Sequence, residues 1–315
     1  MSESYVAQVE DYLALRRGLG CRLVGQGVLL LDFGHFLERT AYHGPLTVDV
    51  ALRWAQAPRS KDPDQTARRL GAIRAFLRHR AGFDPRTEVP PTQLLGCGIR
   101  RKPPHIYTDA EEQALLAATS KLRPRGGLRS HTYTVLFSLL LSTGLRISEA
   151  LDLEDRDVDL EEGVLTVRDS KFGRSRLVPL HNTTLPPLRF YVASRNRVTP
   201  ASAAAFFRAE RRSCLGYDAV RLTFSRLRER LGWTGVGRAR RPRIQDMRHT
   251  FATRCLVRWY RAGAPIDHQI THLATYLGHV EVRDTYWYLS AVPELAALAA
   301  TRFEDFAGRG RGGLE

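Results

Sequence analysis

Four short segments gather residue types able to do chemistry on an anionic substrate. STGLRISEALDL carries Arg146 and Glu149, and DSKFGRSRLVPL carries Lys171. RIQDMRHTFAT carries Gln245, Arg248 and His249, and YLGHVEVRDTYWYL carries His279, Tyr286 and Tyr288. Arginine offers a planar, permanently charged fork of donors that matches phosphate or carboxylate oxygens. Lysine and histidine can move protons, and a tyrosine hydroxyl can act as a nucleophile. Lys171 stands out because the chain has only three other lysines, Lys61, Lys102 and Lys121, against an abundance of arginine. Any one segment alone is uninformative. Their order, and the nine-residue step from His279 to Tyr288, carry the information.

Taken together, the four segments resemble the catalytic domain of the tyrosine recombinases, the phage integrase family, over roughly residues 104–306. The resemblance implies that the Tyr288 hydroxyl attacks a DNA phosphodiester, forms a 3′-phosphotyrosine and expels a deoxyribose hydroxyl. Arg146, Arg248 and His279 would stabilise charge on the non-bridging oxygens, and Lys171 would protonate the leaving group. The spacing from His279 favours Tyr288 over Tyr286. Glu149 lies three residues after Arg146, placed to pair with it on one helix face, and His249 reads as a structural hydrogen-bonder. No cofactor and no metal are expected, because the cationic cluster supplies the charge and the phosphotyrosine conserves the bond energy. One position departs from the family pattern. The histidine usual three residues before the second arginine is Gln245, which hydrogen-bonds but carries no proton at neutral pH.

By the same resemblance the chain is a site-specific recombinase for integration, excision, transposition or dimer resolution, and DTYWYLSAVPEL looks like the versions in mobile elements. Its partners would be double-stranded DNA and further recombinase protomers, as a homotetramer or a mixed synaptic complex. Two other readings share the fold or the chemistry: a catalytically weakened DNA-binding protein, and a type IB topoisomerase.

These side chains must be positioned by two domains, mainly α with a small antiparallel sheet. Residues 1–98 read as a small helical domain, similar to the family's SAM-like core-binding domain in size and character only. Tyr5, Val9, Tyr12 and Leu13 recur at helical spacing, as do Leu29, Leu30, Phe33 and Leu37. Thr47 can cap a third helix through Trp54, and a fourth follows Pro63 with Leu70, Ile73 and Leu77 on one stripe. The Pro- and Gly-containing segment from Phe83 to Pro104 has linker composition, with the linker itself taken as residues 99–106. The catalytic α+β domain follows over 107–315. Thr108 caps its first helix, Ser130 caps an apolar second one, and VLTV and RLVPL flank a hairpin turn that holds Lys171. Further helices are expected around Leu222–Leu231, Asp246–Arg261 and Asp267–Tyr276. A last one from Pro293 carries Leu295, Leu298 and Phe303, which by resemblance would dock on a neighbouring protomer.

The net charge of +15 points to a polyanionic partner. Between Arg189 and Arg248 stand fifteen arginines and only four acids, a run that leads into the third segment. The eight carboxylates from Glu149 to Glu162 read as a solvated surface rather than a metal site. His268 and His272 read as a solvent-facing or packed pair, lacking the glutamate of H-E-x-x-H. The polar N-terminus and the lack of an eighteen-residue apolar run fit a cytoplasmic, nucleoid-associated protein.

Overall fold

The computed structural model describes residues 4–21, 23–57, 63–92, 94–95, 103–124, 127–170, 174–199, 204–210, 214–235, 241–291, 295, 297 and 300. The chain divides into two units, Met1–Arg101 and Lys102–Glu315.

In the first unit, apolar residues at helical spacing build α1 (Tyr5–Gly18), α2 (Val24–Arg39), α3 (Val48–Gln56) and α4 (Pro63–Ala81). Thr47 caps α3 by accepting a hydrogen bond from the Val50 N–H. The stripe of Leu70, Ile73 and Leu77 is buried with Val9, Leu13, Phe33 and Trp54 in one core. The Arg69 guanidinium lies 4.0 Å over the Trp54 ring and pairs with Asp32 at 2.9 Å. Part of the segment of linker composition that precedes residue 99 proves to be folded. Arg74 donates to the carbonyls of Pro90 and Pro91, Glu88 accepts from Val48 N–H, and Val89 packs on the core. Prolines lack an N–H, but their carbonyls still accept, so a Pro-rich stretch can be tied to a helix.

The second unit begins with α5 (Asp109–Ser120), entered through a full capping box between Thr108 and Glu111. The apolar α6 (Leu128–Thr143) runs through the main core, with Leu136, Phe137, Leu139 and Leu140 almost fully buried. Ser130 does not cap it. The helix starts two residues earlier, and the Ser130 hydroxyl donates back to the Gly127 carbonyl. Gly144 ends α6 in the left-handed region at φ 63°, where an added Cβ would stand 2.6 Å from Phe251 Cδ1. The short α7 (Ile147–Leu151) follows directly.

A three-stranded antiparallel sheet comes next: β1 (Val158–Asp159), β2 (Val164–Ser170) and β3 (Arg174–Pro179), in that order. Thr166 pairs with Leu177 and Val167 with Arg176. Period-two alternation then turns Val178 and Arg176 to the inner face and leaves Leu177 exposed. Beyond the sheet lie α8 (Leu185–Asn196), α9 (Tyr217–Arg230), α10 (Ile244–Arg261), α11 (Ile266–Leu277) and α12 (Arg283–Ala291). The sequence reading named neither α8, whose Pro186 and Pro187 fit a helix start, nor α12. Most of the helix expected from Pro293, with Leu298 and Phe303, lies outside the described residues. Leu295 is described, and it is buried against its own domain with Leu256, Ile270 and Tyr288.

Two charge expectations need correction. The carboxylates after residue 149 are not all solvated: Glu149 and Asp157 are buried, and Asp155 pairs with the buried Arg195 and Arg208. Part of the arginine run is therefore internal and adds nothing to the surface. A buried charge needs a partner, and acids near in sequence to the sheet supply it. His268 and His272 do face solvent. Among the described residues, no helix is long and apolar enough to cross a membrane, and no cluster of three metal-ligating residues occurs.

Candidate active site

The C-terminal end of α11 organises the site. The last carbonyls of a helix lack intrahelical donors and carry its partial negative charge, and here three arginines from three elements take three consecutive ones. Arg176 Nε on β3 donates to Tyr276 O at 2.7 Å. Arg248 Nη2 on α10 donates to Leu277 O at 2.5 Å. Arg146 Nη2, just before α7, donates to Gly278 O at 3.3 Å. Gly278 is left-handed (φ 67°), and a Cβ there would come within 2.9 Å of Arg176 Nη1. Arg248 also donates to Gly144 O at 2.9 Å, so the turn that ends α6 and the end of α11 share one guanidinium.

Glu149 ties this cluster together. Its carboxylate pairs with Arg146 at 2.6 Å and Arg176 at 2.8 Å, and it accepts the Arg146 N–H. Burial would push its pKa up. The hydrogen bonds from Arg176 and the Arg146 N–H outweigh that, and the carboxyl sits below its ordinary value. Arg248 is almost completely buried. That burial, with repulsion from Arg146, lowers its pKa to about 10, still charged at neutral pH.

Tyr288 is brought to these cations by α12 and is 2% exposed, whereas Tyr286 on the same helix is 44% exposed. Burial raises the Tyr288 pKa, while Arg248 and Arg146 work against the rise. Its hydroxyl lies 3.2 Å from His249 Nδ1, and the His279 ring stacks near it with centroids 6.4 Å apart. His279 Nδ1 is 2.7 Å from the Thr285 hydroxyl. Burial, then Arg248 and Arg146, lower the His279 pKa to about 4, so the imidazole is neutral at physiological pH.

The structure thus brings together Arg146, Glu149, Arg248, His249, His279 and Tyr288. Gln245, one turn before His249 on α10, is half-buried and makes no side-chain hydrogen bond among the described residues. Lys171, between β2 and β3 in the chain, lies outside the described residues. Sequence reasoning missed Arg176 and Thr285. The alternation of the strand RSRLVP, with an arginine on the apolar face, was the available signal for the first. Thr285 had none.

The fold and the clustered arginines, histidine and tyrosine define a tyrosine recombinase catalytic domain. The comparisons agree: the sequence matches the model of the phage integrase family over residues 106–294, and the chain belongs to that family. It is 42% identical to the Sinorhizobium fredii protein y4rB, named for an integrase/recombinase, over 94% of this chain and 96% of the relative. It is 28% identical to the tyrosine recombinase XerC of Pelobacter propionicus, over 70% of this chain and 67% of the relative. The fold matches that of the Tn1549 transposon integrase, solved with transposon right-end DNA, with a TM-score of 0.69 at 18% identity over 97% of this chain and 100% of that one. By class the protein is a tyrosine site-specific recombinase.

Proposed function

We propose that this recombinase cleaves and rejoins double-stranded DNA through a covalent bond between Tyr288 and a 3′ phosphate. The observation that carries the reading is the burial of the Tyr288 hydroxyl against the cluster of Arg248, Arg146 and His279, residues drawn from separate elements. In the forward step the Tyr288 O–H is lost, a bond forms from its oxygen to phosphorus, and the bond from phosphorus to the 5′ oxygen breaks. Arg146 spends one N–H of its fork on the Gly278 carbonyl and one on Glu149, and Arg248 spends one from each terminal nitrogen on the Gly144 and Leu277 carbonyls. Their remaining donors are available to the non-bridging oxygens, where charge gathers. Neutral His279 adds a third donor: with the Thr285 hydroxyl donating to Nδ1, the ring hydrogen sits on Nε2. Lys171 gives its proton to the departing 5′ oxygen. Rejoining reverses every step, so no nucleotide is consumed, and nothing in the scheme requires a metal. Four protomers on two DNA sites would complete a strand exchange, and similarity to y4rB and to a transposon integrase favours a mobile-element role.

The test is a nicked suicide duplex built on the sequence this chain selects from a random pool. A covalent adduct should form in excess EDTA without ATP, and peptide mapping should place it on Tyr288. Tyr288→Phe should abolish it while DNA binding stays within a few-fold. An adduct that survives in Tyr288→Phe and disappears in Tyr286→Phe would move the nucleophile.

A further inference from the structure

A buried phenol that becomes a nucleophile must hand its proton to something within reach. Tyr288 is 2% exposed, so a side chain packed against it is better placed than bulk water to take the proton. Gln245, at the position where the family pattern has a histidine, cannot hold a proton. Two imidazoles face the hydroxyl. His279 has its Nδ1 committed to Thr285 at 2.7 Å, and its ring stacks near the tyrosine ring with centroids 6.4 Å apart. His249 is different: Nδ1 is 3.2 Å from the Tyr288 oxygen, and the ring is held by Trp287 at 5.5 Å, centroid to centroid. That distance is within reach for direct proton transfer.

We infer that His249 is the general base of this enzyme: its Nδ1 accepts the Tyr288 proton during attack and returns it on rejoining. The inference rests on Tyr288 being the nucleophile. In the step, the Tyr288 O–H bond breaks as the oxygen bonds phosphorus, the proton moves to His249, and the 5′ oxygen leaves with a proton from Lys171. His249 becomes an imidazolium, and the reverse reaction makes it neutral again.

The charges around it make this transfer conditional on DNA. Arg248 on α10 and Arg146 before α7 are fixed cations beside the pair, His279 faces it from the end of α11, and Asp284 on α12 is the carboxylate acting on Tyr288. Without a substrate, a new positive charge on His249 would join a cluster in which the guanidiniums of Arg146, Arg176 and Arg248 already share the carboxylate of Glu149, with Asp284 beside Tyr288. A phosphate bound between Arg146 and Arg248 cancels that repulsion and makes the imidazolium acceptable. The nucleophile therefore stays protonated until a phosphodiester occupies the site.

The experiment is single-turnover adduct formation on the same suicide duplex, from pH 5.5 to 9, with the full chain. His249→Asn is the informative variant, because its amide can keep a hydrogen bond near the Nδ1 position but cannot carry a proton. The wild-type rate should rise with pH and level off. His249→Asn should slow it by about 10²–10⁴-fold, with a rate that keeps climbing to pH 9 as hydroxide replaces the base, and with unchanged DNA binding. His249→Ala should show the same profile, and Gln245→His added to His249→Asn should restore part of the rate. A rate within about threefold of wild type, or a uniform loss that leaves the shape of the pH profile intact, overturns the inference. A wild-type adduct mapped to Tyr288 but indifferent to both His249 variants removes His249 alone. Absence of any adduct on Tyr288 removes the nucleophile reading itself.

Discussion

Arg248 shows how one side chain can be structural and chemical at once. It is 2% exposed, and its fork closes on the Gly144 and Leu277 carbonyls. Arg248→Met would remove both donors, and a buried carbonyl left unpaired costs about 1–3 kcal/mol. The variant should therefore lose several kcal/mol in urea unfolding as well as cleavage, and Arg248→Lys should fail to recover either, because one ammonium cannot span both carbonyls. His279 gives a second prediction at this scale. Its folded pKa is about 4 against an ordinary 6.5, so the unfolded chain takes up a proton that the folded chain refuses. Stability should fall as pH drops from about 6.5 to about 4 and level off below, as far as this group contributes. Comparing urea midpoints at pH 7 and 4.5, His279→Gln should lose less than wild type over that interval.

At the scale of elements, the β2–β3 hairpin is tethered to the site through Arg176, which links it to Glu149 and to the end of α11. Lys171, the proton donor proposed above, falls between β2 and β3 in the chain, and on that proposal Arg176 is a positioning residue for it. Arg176→Met should slow cleavage by up to about 10²-fold, the scale of a misplacement near 1 Å, with little change in DNA affinity. A substrate with sulfur at the bridging 5′ position tests the route, since a thiolate leaves without a proton. On it, both Arg176→Met and Lys171→Met should approach the wild-type rate. A defect in Arg176→Met that persists on the sulfur substrate would mean that Arg176 acts through the phosphate cluster instead. The Glu149 tether has its own pH window: a carboxyl held below its ordinary value stabilises the fold above that value, and the contribution is lost as pH falls through the depressed pKa.

Over the whole molecule, the charge of +15 sets the behaviour toward DNA. Some of the arginine is internal, as Arg195, Arg208 and Arg248 show, yet Arg221 and many others remain on the surface. If six to ten phosphates are neutralised, affinity should fall by about 10³–10⁵ between 50 and 200 mM salt through counterion release. Fluorescence anisotropy with a labelled duplex measures this directly, and a flat response would contradict a phosphate-dominated interface.

The amino-acid sequence by itself determined the class of the protein, the chemical types at its site, and the helices whose caps and apolar stripes are local. Thr47, Thr108 and the stripe of Leu70, Ile73 and Leu77 behave as neighbours only a few residues away dictate. The resemblance, through the spacing from His279, also favoured Tyr288 over Tyr286. Tertiary structure alone decided the rest. Arg176 reaches a carbonyl 100 positions away, and His249 meets a hydroxyl 39 positions away. Glu149 pairs with Arg146 as its three-residue spacing implied, but its burial and its second pair, with Arg176, come from packing. Local spacing determines which face a residue shares within its own element. Which side chain from another element arrives opposite it depends on how the elements pack, and at this site the open carbonyls at the end of α11 draw three distant arginines together.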